Sequence, residues 1–207
     1  MMDVDSTLIQ QEVIELLAHQ AGAGAEVEAI TESAMAGELD FEQSLRRRVS
    51  LLAGLSVDVL DDVSQRIEVT PGAKELIAYV HEVGGRIGAV SGGFSQVLDP
   101  IAESLGLDYW SGNVLEIEDS KLTGRLVGKI IDAKAKATAL EEWSIDFGVP
   151  NQQTVAIGDG ANDILMLQAA SFAVAFRPKP VLRPYADLIV EENSLLSVIE
   201  SLKLRAS

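Results

Sequence analysis

Residues 154–163 read Thr-Val-Ala-Ile-Gly-Asp-Gly-Ala-Asn-Asp, an apolar run that passes directly into a polar, glycine-rich segment. The pattern predicts a buried strand at residues 154–157 and a helix at residues 162–170. An Asp or Asn at such a junction often caps the helix, but the number of polar side chains here exceeds what capping requires. Because open α/β sheets bind ligands at the carboxyl ends of their strands, we expect this acidic segment to belong to a functional site.

Helices and strands alternate from residue 70 onward. The apolar periods predict further helices and strands around this segment: helices at residues 70–85 and 94–105, and strands at residues 86–90, 172–176 and 188–190. Such alternation predicts an α/β fold, a Rossmann-like doubly wound parallel sheet with helices on both faces. Residues 113–118 and 121–129, joined by a polar turn, predict a small antiparallel β-hairpin over one end of the sheet.

The segment from residue 9 to about residue 66 has a different pattern, with helical spacing of its apolar residues and short breaks at Gly22, Gly37 and Gly54. It predicts a helical cap inserted after the first strand. The expected division is a catalytic core of residues 1–11 and 69–207 and a cap of residues 12–68.

The charge balance excludes several kinds of partner. The 207-residue chain carries 32 acidic and 16 basic residues, a formal net charge of −16. This charge repels nucleic-acid phosphates and anionic membranes, so we expect neither as a partner. An anionic substrate would have to be attracted locally, by a few cations, backbone N–H groups or a bound metal.

Cysteine is absent, which excludes disulfides, thiolate catalysis and cysteine-ligated metals. The first residues are acidic where a signal peptide would be basic and then apolar, and no apolar run is long enough to span a bilayer. These features predict a cytoplasmic protein.

Two further acids follow the start of the chain. Asp3 and Asp5 are two residues apart, so in an extended chain their side chains point to the same side and can meet one phosphate. Either could instead cap the next helix. Carboxylates converging from Asp3 and Asp159 would suit Mg²⁺, which prefers oxygen ligands.

A possible phosphate-binding segment is Ser91-Gly92-Gly93, predicted as a turn before a helix that starts at Phe94. Exposed backbone N–H groups at a helix N-terminus bind phosphate, although Ser91 could simply cap the helix. The helical stretch that follows the hairpin offers Lys134 and Lys136 as cations, and its apolar spacing alone does not decide which one points inward.

Together these motifs resemble those of a known family. Asp-x-Asp-x-Thr at residues 3–7, Ser-Gly-Gly, a helix lysine and Gly-Asp-Gly-x-Asn-Asp at residues 158–163 resemble, in this order, the four motifs of the haloacid dehalogenase superfamily. In the cap, residues 11–14, 34–37 and 41–49 are similar to the cap of the phosphoserine phosphatases within that superfamily. The resemblance extends over essentially the whole chain.

The resemblance implies a phosphoric monoester hydrolase that works through an aspartyl-phosphate. Asp3 would be the nucleophile, and Asp5 would protonate the leaving oxygen and then activate water. Mg²⁺ would be held by Asp3, the backbone carbonyl of Asp5 and Asp159, with Asp163 supporting its water shell.

It also implies residues that hold the phosphate. Ser91, Gly92 and Lys136 would bind the phosphate oxygens. Lys136 fits better than its neighbour because the family pattern places Leu four residues after the lysine, where Leu140 stands.

Substrate recognition is implied by the cap. Glu12 would pair with the ammonium of O-phosphoserine and Arg48 with its carboxylate, Met35 and Phe41 would form an apolar lid, and Asn162 would also face the substrate. The expected partner is this small phosphomonoester, the expected pathway step is the last of serine biosynthesis, and the protein would be a monomer or a homodimer.

One departure from the family concerns the first strand, since only Met1 and Met2 precede Asp3. The motifs leave three alternative functions: a related capped phosphatase or phosphotransferase for another phosphomonoester, a receiver-like signalling module, and an inactive metal-binding scaffold. The receiver-like function would leave the helical insertion and Asp5 unused, and the scaffold is disfavoured because every expected polar group is present.

Overall fold

The computed structural model describes residues 1–35 and 38–206, and for residues 35, 205 and 206 it describes the backbone alone. The strands are β1 (Gly88–Phe94), β2 (Tyr109–Glu118), β3 (Lys121–Val127), β4 (Val155–Gly158), β5 (Phe172–Phe176) and β6 (Leu188–Val190). The helices are α1 (Val13–Gln20), α2 (Gly24–Met35), α3 (Phe41–Ser50), α4 (Asp58–Ser64), α5 (Ala73–Glu82), α6 (Ser95–Leu105), α7 (Ala133–Asp146), α8 (Ile164–Ala169) and α9 (Leu196–Ala206).

The first residues of the chain form the centre of a parallel sheet. Met2 pairs in parallel with Ala89 of β1 on one side and with Ile157 of β4 on the other. β2 extends the sheet beyond β1, and β5 and β6 extend it beyond β4. The chain thus builds one half of the sheet and then the other, and the point where the order reverses lies at Asp3.

Both faces of this sheet are covered. Along β5, Phe172, Val174 and Phe176 belong to one buried cluster, whereas Ala173 and Ala175 belong to another. The first cluster includes residues of α5 and α9, and the second includes residues of α7 and α8. Because side chains alternate across a strand, this division confirms the α/β fold class, with helices on both faces.

Helices α1–α4 leave the sheet region and return to it at one place. Ile9 pairs antiparallel with Val69, and the backbone N–H of Gln10 donates to Glu68 O at 2.9 Å. The segment between α3 and α4 also contacts the β2–β3 hairpin, where Gly54 N–H donates to Leu122 O at 2.8 Å. The hairpin is present as expected, and α3 packs against β3.

Several element boundaries differ from the sequence-based expectation; the helix expected at residues 70–85, for example, is α5 at Ala73–Glu82. Ser91, Gly92 and Gly93 lie inside β1 rather than in a turn, and the next helix begins at Ser95. β2 begins at Tyr109, because its first residues pair in parallel with β1 before the strand turns to pair with β3. The helix expected from residue 162 opens with a 3₁₀ turn, and α8 itself begins at Ile164.

A cavity of about 540 Å³ lies at the amino ends of the strands, away from the acidic residues. It is lined in part by Met1, Tyr109, Trp143, Phe147 and Val155. Across residues 1–35 and 38–206, none of the helices combines the length and the apolar character that a membrane crossing needs.

Candidate active site

A buried lysine joins the two acidic motifs. Lys136, on α7, donates from Nζ to Asp3 Oδ1 at 2.5 Å and to Asp163 Oδ1 at 2.7 Å, and all three side chains are buried. Burial alone would lower the pKa of Lys136, but Asp163 and Asp3 outweigh it and the pKa is raised. Lys136 is therefore positively charged at neutral pH, and it is the lysine of its helix that points inward.

Asp3, Asp159 and Asp163 form a compact acidic cluster, in which one carboxylate oxygen of each lies within 4.8 Å of the others. Burial, followed by the neighbouring Asp163, raises the pKa of Asp3 well above its usual range. Burial likewise raises the pKa of Asp159 to about 6. Oxygen donors crowded in this way fit a hard divalent cation, which would remove the cost of holding their charges together.

Asp163 is fixed by the backbone around it. Its Oδ2 accepts hydrogen bonds from the N–H groups of Asp159 and Gly160, both at 3.1 Å. A Cβ on Gly158 would overlap the Asp163 carboxyl group, so glycine is required there. This close approach explains part of the glycine content of the segment that opened the sequence analysis.

Asp5 lies in a different environment from Asp3. Its Oδ2 accepts a hydrogen bond from Val13 N–H at 3.2 Å, and its buried Oδ1 has no hydrogen-bond partner among the described residues. Burial, and then the negative charge of Glu12, raise the pKa of Asp5 to about 8. A carboxyl group that keeps its proton at neutral pH can act as a general acid.

Ser91, Gly92 and Gly93, at the end of β1, lie beside Asp5. Ser91 Oγ accepts a hydrogen bond from Gly93 N–H at 2.7 Å, and a Cβ on Gly93 would lie 3.2 Å from Asp5 Oδ2. Phe41 of α3 covers Gly92, since a Cβ there would lie 3.0 Å from its ring. The irregular end of β1 thus places a hydroxyl group and small residues where a substrate could approach closely.

The other residues expected to recognise substrate come from the position just before α1, from α3 and from the loop before α8. Glu12 Oε1 accepts a hydrogen bond from Ser6 Oγ at 2.8 Å. Burial lowers the pKa of Arg48, while nearby Glu12, and Asp5 when it is ionised, oppose the shift. Asn162 points its Oδ1 toward Gly160 in the acidic segment. The side chain of Met35 lies outside the described part of the chain.

Sequence reasoning missed two polar residues at this site. Buried Asn113 donates from Nδ2 to Gly92 O at 2.8 Å and accepts at Oδ1 from Ile131 N–H, also at 2.8 Å. It therefore ties the end of β1 to the start of α7. The available signal was an asparagine at the start of a predicted strand, where Asn is uncommon.

The second missed residue is Lys179, in the loop after β5. Its Nζ lies 3.4 Å from Asp159 Oδ2, and its backbone N–H donates to Asp159 O at 2.9 Å. The signal was its position just beyond the carboxyl end of a buried strand, the edge of the sheet at which the other site residues lie.

A doubly wound sheet whose reversal point carries paired aspartates, a buried lysine and an acidic loop defines a class of phosphate-handling hydrolases. The family model described as haloacid dehalogenase-like hydrolase matches residues 1–168, and the chain belongs to this family. The expected resemblance is thereby confirmed.

Relatives within this family are phosphoserine phosphatases. The chain is 53% identical over 197 residues to phosphoserine phosphatase SerB2 of Mycobacterium tuberculosis, covering 95% of this chain and 48% of that protein. It is 46% identical over 201 residues to the phosphoserine phosphatase of Streptococcus thermophilus, covering 97% and 94%. A solved structure described as a phospho-aspartyl intermediate analogue of phosphoserine phosphatase superposes with a TM-score of 0.91, at 42% identity, over 97% of this chain and 96% of that one. The chain spans about half the length of the first of these relatives.

Proposed function

We propose that the chain hydrolyses O-phospho-L-serine to L-serine and phosphate through an aspartyl-phosphate, an acyl phosphate formed on Asp3. The observation that carries the proposal is the contrast between Asp3, bonded to the charged Lys136, and Asp5, whose pKa is raised to about 8. One carboxylate is placed to attack phosphorus and the other to give up a proton. The names of the relatives support the choice of substrate.

In the first step Asp3 attacks the phosphorus atom and the bond from phosphorus to the serine oxygen breaks. The proton of Asp5 passes to that oxygen, so serine leaves as a neutral alcohol. Lys136, Ser91 and the backbone at Gly92 hold the phosphate oxygens, whose charge the transition state redistributes.

In the second step Asp5, now ionised, accepts a proton from water as that water attacks phosphorus. The bond from phosphorus to Asp3 breaks, which releases phosphate and returns Asp5 to its protonated form. Its buried Oδ1, which has no partner among the described residues, is available for this proton. Both half-reactions therefore use the same carboxyl group in opposite directions.

Mg²⁺ is the proposed metal, because the cluster offers carboxylate oxygens and neither nitrogen nor sulfur donors. Asp3, Asp159 and the backbone carbonyl of Asp5 would hold it, with Asp163 in support. When bound, the metal would supply positive charge that offsets the repulsion between carboxylate and phosphate.

The serine moiety would be recognised by opposite charges. In this proposal Glu12 would pair with its ammonium and Arg48 with its carboxylate. The electrostatic coupling of these two residues to each other and to Asp5 supports their role beside the reacting groups. Phe41, Asn162 and Met35 complete the proposed substrate contacts. Residues 12–68 are proposed as the cap that carries most of them.

A direct assay tests the proposal. Phosphate release would be measured from O-phospho-L-serine, phosphoethanolamine and phosphohomoserine, each with Mg²⁺ and with a chelator. We expect phosphoserine with Mg²⁺ to be hydrolysed fastest. Preference for another ester would favour the related capped phosphatase, transfer to an added alcohol would favour a phosphotransferase, and labelling without turnover would favour the receiver-like module. The cytoplasmic location, the place in serine biosynthesis and the oligomeric state stay predictions.

A further inference from the structure

Lys179 stands apart from the other cation of the acidic cluster. Lys136 is fully buried and contacts two carboxylates at 2.5 and 2.7 Å. The side chain of Lys179 is 55% exposed and reaches a single carboxylate, that of Asp159, at 3.4 Å. Asp159 itself is only 7% exposed, so a solvated lysine neutralises a buried acid from outside.

The two lysines therefore differ in how easily they can leave. Moving Lys136 away from Asp3 and Asp163 would leave buried charges without partners, which costs free energy. The side chain of Lys179 is more than half exposed, so its ammonium can return to solvent when another cation takes its place beside Asp159. A divalent cation entering the cluster would take Asp159 as a ligand and would repel the adjacent ammonium of Lys179.

We propose that Lys179 is a displaceable counter-ion of the metal site: it occupies Asp159 in the metal-free protein and leaves it when the metal binds. This inference rests on the proposed metal site at Asp3, Asp159 and Asp163. Lys179 is a positioning residue, because it acts through Asp159 rather than on the reacting atoms.

The released ammonium has acidic neighbours at the entrance. Lys179 lies close enough to Glu12 and to Glu15 of α1 for their charges to act on one another. The lysine would thus move from the core loop toward the first helix of the insertion, and its positive charge would face an arriving anionic substrate.

The test is a comparison of metal affinity between two lysine variants. Lys179→Gln removes the counter-ion, and Lys74→Gln removes the same charge from an exposed position on α5. Mg²⁺ binding would be measured by isothermal titration calorimetry on the substrate-free protein, together with the Mg²⁺-dependent rise in Tm. We expect Lys179→Gln to bind Mg²⁺ about three- to tenfold more tightly than wild type, and Lys74→Gln to match wild type within about twofold.

Further outcomes separate this inference from the proposed function. Lys179→Arg keeps the charge and should restore the wild-type affinity. Unchanged or weaker Mg²⁺ binding by Lys179→Gln, with wild type binding normally, would overturn the role of Lys179 and leave the metal site standing. An absence of Mg²⁺ binding by wild type would overturn the metal site and the counter-ion role together.

Discussion

The ammonium of Lys136 and the carboxylate of Asp163 form an ion pair of 2.7 Å in which neither side chain is exposed to solvent. The pair joins α7 to the segment that precedes α8, and through Lys136 it also reaches Asp3. One buried cation thus holds two motifs that lie far apart in the chain.

We expect Lys136→Met to lower the free energy of unfolding by about 3–5 kcal/mol, since it leaves buried carboxylates without a partner. Urea titration at pH 8 measures the loss, which should be smaller at pH 5, because the raised pKa of Asp3 lets this carboxylate take up a proton there. Lys134→Met, on the exposed side of the same helix, is the control. A loss below about 1 kcal/mol would show that the pair is not important for stability.

Asp3→Asn tests the nucleophile. The variant should fold and bind phosphoserine but lose at least about three orders of magnitude in kcat, because the side-chain amide of Asn cannot form the acyl phosphate. Phosphate release and calorimetric binding measure the two properties, with Asp62→Asn on α4 as the control. A retained rate above about a tenth of wild type, a barrier change under ~1.4 kcal/mol, would exclude covalent catalysis at Asp3.

Asp5→Asn tests the proton donor. An aryl phosphate has a good leaving group that needs little protonation, so formation of the intermediate should slow less with this ester than with phosphoserine. Hydrolysis of the intermediate should be slow with both. Rapid-quench kinetics resolve the two steps, and equal slowing of the first step with both esters would assign Asp5 a structural role.

Arg48→Ala tests substrate recognition. A charge-assisted pair with the substrate carboxylate contributes about 1.5–3 kcal/mol, so kcat/KM for phosphoserine should fall roughly ten- to a hundredfold. The fall in kcat/KM should be much smaller for phosphoethanolamine, which has no carboxylate. Arg47→Ala, at an exposed position next to it on α3, should leave kcat/KM for both substrates unchanged.

Glu12→Gln should lower kcat/KM for phosphoserine and leave kcat/KM for esters without an amine nearly unchanged. A uniform loss across all esters would mean that Arg48 and Glu12 organise the cap without reading the amino acid.

The raised pKa of Asp5 predicts how stability depends on pH in the metal-free protein. In the unfolded chain this carboxyl group ionises near pH 3.8, whereas in the folded protein it keeps its proton up to about pH 8. Between these values the folded state holds the extra proton, so stability falls as pH rises. We expect wild type to lose about 1–3 kcal/mol more than Asp5→Asn between pH 5.5 and pH 7.5. Urea titrations in a chelator measure the difference, and parallel curves for the two proteins would contradict the raised pKa.

Much of the fold follows from local sequence patterns. The change between helical and strand-like apolar patterns was enough to predict the parallel sheet and its helices, because central strands such as β5 are buried on both faces and read as continuous apolar runs. The end of β1 was predicted wrongly as a turn. Ser91, Gly92 and Gly93 have little intrinsic strand preference. They lie between Val90 and Phe94, which pair with β2, and the side chain of Asn113 donates to Gly92 O; a local pattern contains neither contact.

The acidic residues of the site could be predicted because several of them lie close together in the sequence, directly after predicted strands. The choice of Lys136 depended on the family resemblance, and its inward direction depends on tertiary contacts with Asp3 and Asp163. Lys179 carried no motif of its own, since its contact with Asp159 arises from two loops brought together by the pairing of β4 with β5. The side chain of Met35 lies outside the described residues, and its role stays a prediction.

The cavity at the amino ends of the strands offers a way to engineer the protein. Asp3 is positioned by hydrogen bonds on both sides of residues 1–3, to Gly88, Val90 and Ile157, rather than by the filling of the space beside Met1. Larger apolar side chains in that cavity could therefore raise thermal stability at the end of the sheet opposite the acidic residues, since filling a void restores lost packing contacts. We therefore expect substitutions that raise thermal stability in this cavity to leave the acidic site unchanged.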